Sequence, residues 1–134
     1  MENLNIKFLE QKSKFLHLAF VQNDIEIRPL QNVRDFIQEG TTLNHCVAKE
    51  SYICNTRVLI LSARINGERT ETIEFDLQQM KAMHVGGYSN DLAKRHKEIM
   101  KVLEKNIPAI KEIVIPKKKK NANKLQEVPV ELEV

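Results

Sequence analysis

Residues 58–76 read Val58-Leu59-Ile60-Leu61-Ser62-Ala63-Arg64-Ile65-Asn66-Gly67-Glu68-Arg69-Thr70-Glu71-Thr72-Ile73-Glu74-Phe75-Asp76. The first half of Val58–Ile65 is apolar on both faces, as expected of a central strand. Asn66-Gly67 follows, and both residues tolerate the positive φ that a two-residue type I′ turn requires. Glu68 to Asp76 is then the returning strand. A two-residue loop pairs Ile65 with Glu68, Ala63 with Thr70, Leu61 with Thr72 and Leu59 with Glu74. Ile73 and Phe75 share the other face with Ile60 and Val58, and Arg64 makes a diagonal pair with Glu71. In this register Glu74 lies beside Leu59 and Leu61. If that face is covered, the carboxylate needs a partner, because an unpaired buried charge is expensive.

Downstream, residues 77–81 read as a loop and 82–86 as a third strand, which sets His84 beside Glu74. Ser89 or Asn90 can cap a helix over 91–106, with Leu92, His96, Ile99, Met100 and Leu103 turned inward and Pro108 ending it. Upstream, Phe8, Leu9, Phe15, Leu16, Ala19 and Phe20 recur at helical spacing, so residues 4–22 read as an amphipathic helix. Asn23-Asp24 marks a turn, and Ile25 to Arg28 alternates as a short strand ended by Pro29. Asn32 caps a helix over 31–39, and Gly40 suits its exit. Residues 43–53 are compatible with a further helix, which Asn55-Thr56 breaks. The expected architecture is α+β: a three-stranded antiparallel meander over 58–86, packed on helices 4–22, 31–39 and 91–106.

The chain has 134 residues, enough for one domain with a true core, placed at residues 1–115. No apolar run approaches the ~20 residues of a membrane span, and the N-terminus lacks a secretory pattern. Two cysteines do not make a disulfide framework, so they read as reduced and the protein as cytoplasmic. Of the net charge of +3, the segment 116–134 contributes +2, from Lys117–Lys120 and Lys124 against Glu127, Glu131 and Glu133. The body is therefore nearly neutral, and the Lys run reads as a flexible, solvated tail. Lys117, Lys118, Lys119 and Lys120 are the candidate phosphate contacts, although no aromatic residue interleaves with them.

The unusual polar residues gather around Glu39-Gly40-Thr41-Thr42-Leu43-Asn44-His45-Cys46-Val47. His45 and Cys46 offer a base and a nucleophile, but neighbours on a helix point about 100° apart, so His45 does not activate Cys46 directly. Cys46 reads rather as a small buried hydrophobe than as a nucleophile, and His45 equally as a residue oriented by a hydrogen bond. Glu74 with His84 can form an acid–base pair or a structural ion pair. Arg64, Thr72 and Asn90 are candidate binding residues around them. Cys46 and Cys54 are separated by seven residues, which matches no compact zinc spacing, and no phosphate-binding glycine loop occurs, so no metal or cofactor is expected.

The order of these residues resembles that of the PcfJ-like domain, found in proteins of conjugative plasmids and other bacterial mobile elements. The likeness spans about residues 25–110. It runs through Ile25-Glu26-Ile27-Arg28-Pro29-Leu30, Glu39-Gly40, His45-Cys46-Val47, Tyr52, Leu59 to Ile65, Glu71-Thr72-Ile73-Glu74, Gly87, Asn90 and His96. The chain departs from the family at Asn44-His45, where relatives carry two histidines. It departs again at His84-Val85-Gly86-Gly87-Tyr88-Ser89-Asn90, where they commonly read Gln-x-Arg-Gly-x-x-Asn. The resemblance implies a mobile-element setting and a recurring polar set without an assigned reaction. Three functions stay open: an accessory module that binds nucleic acid or a protein of the transfer machinery, an enzyme using the His/Glu set, or a decayed homologue serving as an interaction surface.

Overall fold

The computed structural model describes residues 2–115, so the Lys117–Lys120 run lies outside the described residues. Five strands form one antiparallel sheet in sequential order: β1 (Phe20–Gln22), β2 (Ile25–Pro29), β3 (Val58–Ile65), β4 (Glu68–Asp76) and β5 (Lys81–Gly86). Four α-helices accompany it: α1 (Glu2–Lys12), α2 (Val33–Leu43), α3 (Glu50–Ile53) and α4 (His96–Val114). The class is α+β as expected, but the meander has five strands rather than three. The residues expected to finish a long first helix instead make a 3-10 turn at Ser13–Phe15 and then strand β1. Asn23, with φ 55°, and Asp24 close the β1–β2 hairpin, and β2 pairs with β3 through Ile27↔Ala63. The apolar spacing over 15–20 that suggested a helix serves the sheet's core edge: Phe15, Leu18 and Phe20 all bury there.

Helices cover both faces of the sheet. On one face Leu59, Leu61, Ala63, Ile73 and Phe75 pack against Ile99, Val102, Leu103 and Ile110 of α4. On the other, Ile60 packs with Phe8 of α1, Val33 and Phe36 of α2 and Ile53 of α3. α4 begins later than expected, at His96, and runs through Pro108 to Val114. A helical proline forfeits one backbone hydrogen bond. Here the loss falls on the exposed side, at Glu104 and Pro108, where water can bond the freed carbonyl. Burial of Ile110, two residues on, holds the last turns in place.

The hairpin register corrects the sequence reading at one point. Ile65↔Glu68 and Arg64↔Arg69 pair as a two-residue loop demands, but Ala63 then faces Glu71, leaving Thr70 as a bulge. One extra residue reverses the facing of everything beyond it. Thr72 therefore pairs with Ser62 and Glu74 with Ile60, while Ile73 and Phe75 join Leu61 and Leu59. The expected Arg64–Glu71 pair is absent for the same reason: Arg64 turns to Asp35 on one face, and Glu71 turns to His96 on the other. The β4–β5 loop is also shorter than expected, Leu77–Met80. Asp76 closes it by accepting the Gln78 and Gln79 N–H groups at 2.8 Å each. The backbone N–H of Gln79, with that of Gln78 and the Arg57 guanidinium, holds the Asp76 carboxyl below the usual range. A second irregularity, at Met83, restores the phase, so Glu74 does face His84.

Lys12 is 2% exposed and donates from Nζ to the Asn55 carbonyl at 2.8 Å. Burial pushes its ammonium down to about 8, against an opposing pull from Cys54. A lysine whose folded value lies below its unfolded one costs stability while charged in both states, and that cost is relieved as pH rises from about 8 toward 10.5. Lys12→Met should therefore be more stable than the parent at pH 7.5, by up to ~3 kcal/mol, with the gap narrowing by pH 10. Urea unfolding at the two pH values checks this, and a gap independent of pH would contradict it.

Candidate functional site: a cavity beside a buried carboxylate

α2 carries the groups that fix the site. Its N-cap is Asn32, whose side chain accepts from Asp35 N–H at 2.8 Å. Its inward face presents Asp35 and Glu39 to the sheet. Glu39 is 0% exposed. Its Oε1 accepts from Arg69 Nη1 at 2.6 Å and from Ser62 Oγ at 2.8 Å, and its Oε2 accepts from Thr72 Oγ1 at 2.5 Å. Asp35 accepts from Arg69 Nη2 at 2.6 Å and from the Gln31 N–H at 2.9 Å, with Arg64 Nη2 at 3.4 Å. Burial pushes the Asp35 carboxyl up, but Arg69 and the Gln31 N–H outweigh it, and the net shift is downward. Arg69 is held above its usual value by the same two carboxylates despite its burial. Arg64 is driven below its usual value by burial and by repulsion from Arg69 and Arg28.

The expected exit at Gly40 is displaced: α2 continues to Leu43, and Asn44, at φ 54°, turns the chain. Gly40 is needed for a different reason. A Cβ there would lie 2.9 Å from the His45 carbonyl oxygen, and the Gly40 carbonyl accepts from His45 N–H at 3.0 Å. The chain folds back over Gly40 and lays His45 against the sheet. Residues 45–49 are extended rather than helical, which leaves Cys46 exposed and contradicts its reading as a buried hydrophobe; Val47 takes the core position instead.

His45 Nε2 lies 2.8 Å from Thr72 Oγ1. A threonine hydroxyl has one proton, and Thr72 gives it to Glu39, which as the anionic partner of Arg69 only accepts. Thr72 therefore accepts from His45 Nε2–H, and in the neutral ring the lone pair then lies on Nδ1. Nδ1 is buried and has no hydrogen-bond partner among the described residues.

His45 lines a cavity of about 290 Å³ together with Cys46, Val47, Tyr52, Thr72, Glu74, His84, Gly86 and Asn90. The candidate residues His45, Cys46, Thr72, Glu74, His84 and Asn90 are thus gathered around one space. Arg64 is not among them: it is buried in the Asp35 network, donating Nε–H to Ser62 Oγ at 3.0 Å. Gly86 is required because Asn90 Oδ1 would come within 3.0 Å of a Cβ there. The Ser89 hydroxyl accepts from Asn44 Nδ2 at 2.8 Å, which ties this loop to the end of α2. Glu74 is half-buried and makes no hydrogen bond or ion pair with the described residues. Among the described residues, no three of His, Cys, Asp or Glu are grouped so as to hold one metal ion.

The sequence reading missed Glu39, Asp35 and Arg69 as site residues. The available signals were the family likeness at Glu39-Gly40 and two acids four residues apart on the same side of a short helix as Val33, Phe36 and Leu43. It also missed Glu71, 0% exposed, which bonds His96 Nδ1 at 3.0 Å and the Ala93 N–H at 2.8 Å.

The class this defines is an α+β domain with a helix-covered antiparallel sheet and a polar cavity built on a buried carboxylate. The family model for PcfJ-like proteins matches residues 1–101, and the chain belongs to that family. No curated protein and no solved structure matches it. No helix of the described residues is long and apolar enough to cross a membrane.

The carboxylates of Glu39 on α2 and Glu74 on β4 should respond in opposite ways. Glu39→Gln removes the buried charge on which Arg69, Ser62 and Thr72 converge, leaving Arg69 to Asp35 alone among the carboxylates, and should cost about 3 kcal/mol. Glu74→Gln removes a half-buried charge that has no partner and should leave stability unchanged or raise it slightly. Chemical unfolding of both variants reads this directly. A Glu74→Gln loss as large as that of Glu39→Gln would show that Glu74 is structural.

Proposed function

We propose that this PcfJ-like protein is an enzyme that performs acid–base chemistry in the His45–Glu74–His84 cavity. The observation that carries the reading is the state of His45. One ring nitrogen is committed to Thr72 and, through it, to the buried Glu39, while the other is unbonded. A base needs a fixed tautomer and a free lone pair, and a carboxylate behind the ring favours the imidazolium that forms when the base takes a proton. His45 Nδ1 is buried in this structure, so in this reading a shift of the ring brings it to the cavity, where it removes a proton from the substrate. His84, directly across from Glu74, returns one to the departing atom. Thr72 is a positioning residue and Glu39 a charge partner. Glu74 binds and polarises the substrate, Asn90 offers an amide to it, and Cys46 is an exposed thiol at the cavity. Positioned acid–base groups of this kind contribute roughly 10²–10⁴-fold to a rate.

A second reading is supported by the clustered Lys117, Lys118, Lys119 and Lys120 and by family membership. In it the protein is an accessory module of a bacterial mobile element that binds nucleic acid, or a protein of that machinery, through the basic segment.

One experiment with the full chain separates them. The protein and its His45→Asn variant are incubated with the small molecules and peptides of a bacterial extract, and with single- and double-stranded DNA and RNA at low and moderate salt. Products are followed by mass spectrometry and on gels. The enzyme reading predicts at least one compound converted by the parent and at least ~100-fold more slowly by the variant. Equal conversion by both, or none by either, contradicts it. Salt-sensitive nucleic-acid binding unaffected by His45→Asn, without conversion, supports the second reading.

A further inference from the structure

The charge of the cavity narrows what can enter it. Among the described residues no Lys or Arg contributes to its lining, and Glu74 is the one carboxylate there. That carboxylate is half-buried, yet it has no donor from the described residues. The contrast within the fold is informative. Glu39, Asp35, Glu71 and Asp76 are all buried, and each accepts at least two hydrogen bonds from the protein. Arg64 and Arg69 lie on the same side of the sheet, but both are consumed by Asp35 and Glu39. Arg28 of β2, whose buried Nε has no hydrogen-bond partner among the described residues, shares that face but does not line the cavity, so none of these three arginines neutralises the Glu74 carboxylate there.

A phosphate or carboxylate ligand would meet Glu74 with no Lys or Arg of the described lining to offset the repulsion, and the two histidines would offset it only while protonated. A group that brings N–H donors and positive charge meets a free two-oxygen acceptor, and a guanidinium can bond it bidentately. Tyr52 lines the same space and offers an aromatic ring near which such a cation is stabilised. Asn90 contributes a carbonyl oxygen as a further acceptor. We propose that the cavity receives the cationic end of an amine or guanidinium compound, seated on Glu74 beside the His45 ring. This rests on the reading of the cavity as the working site and names the class of its substrate.

The test uses the full-length protein and follows the His45 and His84 ring signals by NMR during titration. The probes are agmatine, the arginine side chain as an acetylated arginine amide, guanosine and inorganic phosphate. The expected result is saturable shifts of both rings with agmatine or the arginine amide, and at least tenfold weaker binding in Glu74→Gln. Phosphate should produce no saturable shift. A preference for agmatine identifies a free small cation, and a preference for the amide identifies a side chain in a polypeptide. Saturable shifts with phosphate or guanosine alone, or affinity within twofold of the parent in Glu74→Gln, would overturn the cationic assignment while leaving the cavity a binding site. No shift with any probe would overturn both.

Discussion

The buried Glu39 carboxylate is the constraint on which the rest of this structure depends. It sits on the inward face of α2 with no exposure to water, and it is neutralised by Arg69 from β4. An isolated charge in that position would cost several kcal/mol, so helix and sheet must meet in the one arrangement that supplies its donors. Ser62 on β3 and Thr72 on β4 supply two of them, and these two residues are cross-strand partners only because the bulge at Thr70 brings them opposite each other. The same carboxylate orients the Thr72 hydroxyl, which in turn orients His45. A packing requirement at the core of the α2 face thus becomes a chemical specification at the edge of the cavity.

The four acids of the two sheet faces show how burial is managed. Glu71 is held by His96 and the Ala93 N–H where α4 approaches, and Asp76 by the turn it closes. Asp35 and Glu39 share Arg69 between them. Glu74 differs: its strand neighbours are Ile60 and His84, and it faces open space. Proteins tolerate such a charge where function requires it, since replacing it would improve packing or solvation at little structural cost. The electrostatic map therefore separates groups that hold the fold together from groups left available to a ligand.

Much of the fold was legible in the sequence. Asn66-Gly67 announced the hairpin, Asn32 announced the start of α2, and the PcfJ-like order of residues survived into the family match. Sequence reading expected His45, Thr72, Glu74, His84 and Asn90 around one space, but from the opposite sheet face and a longer loop; the two bulges set the actual facing. The register was not legible: bulges at Thr70 and Met83 carry no compositional mark, yet each inverts the facing of every later residue on its strand. The apolar residues at 15–20 have helical spacing but serve a 3-10 turn and an edge strand, because the β2 edge offers them a partner that local periodicity cannot reveal. Pro108 stops a helix in isolation, and only the burial of Ile110 against the sheet explains why α4 continues. The roles of Glu39 and Arg69 required knowing which strand residue faces which helix residue, and that is set by the bulge.

The central claim is that the buried carboxylate, acting through Thr72, holds His45 as the Nε2-protonated form with Nδ1 free. Its most direct test is the ring-nitrogen NMR spectrum of 15N-histidine-labelled protein, compared with Thr72→Val. The account predicts a single neutral tautomer protonated at Nε2 in the parent, lost to a mixture of tautomers in the variant. A parent spectrum showing Nδ1 protonated, or a spectrum unchanged by Thr72→Val, would contradict it.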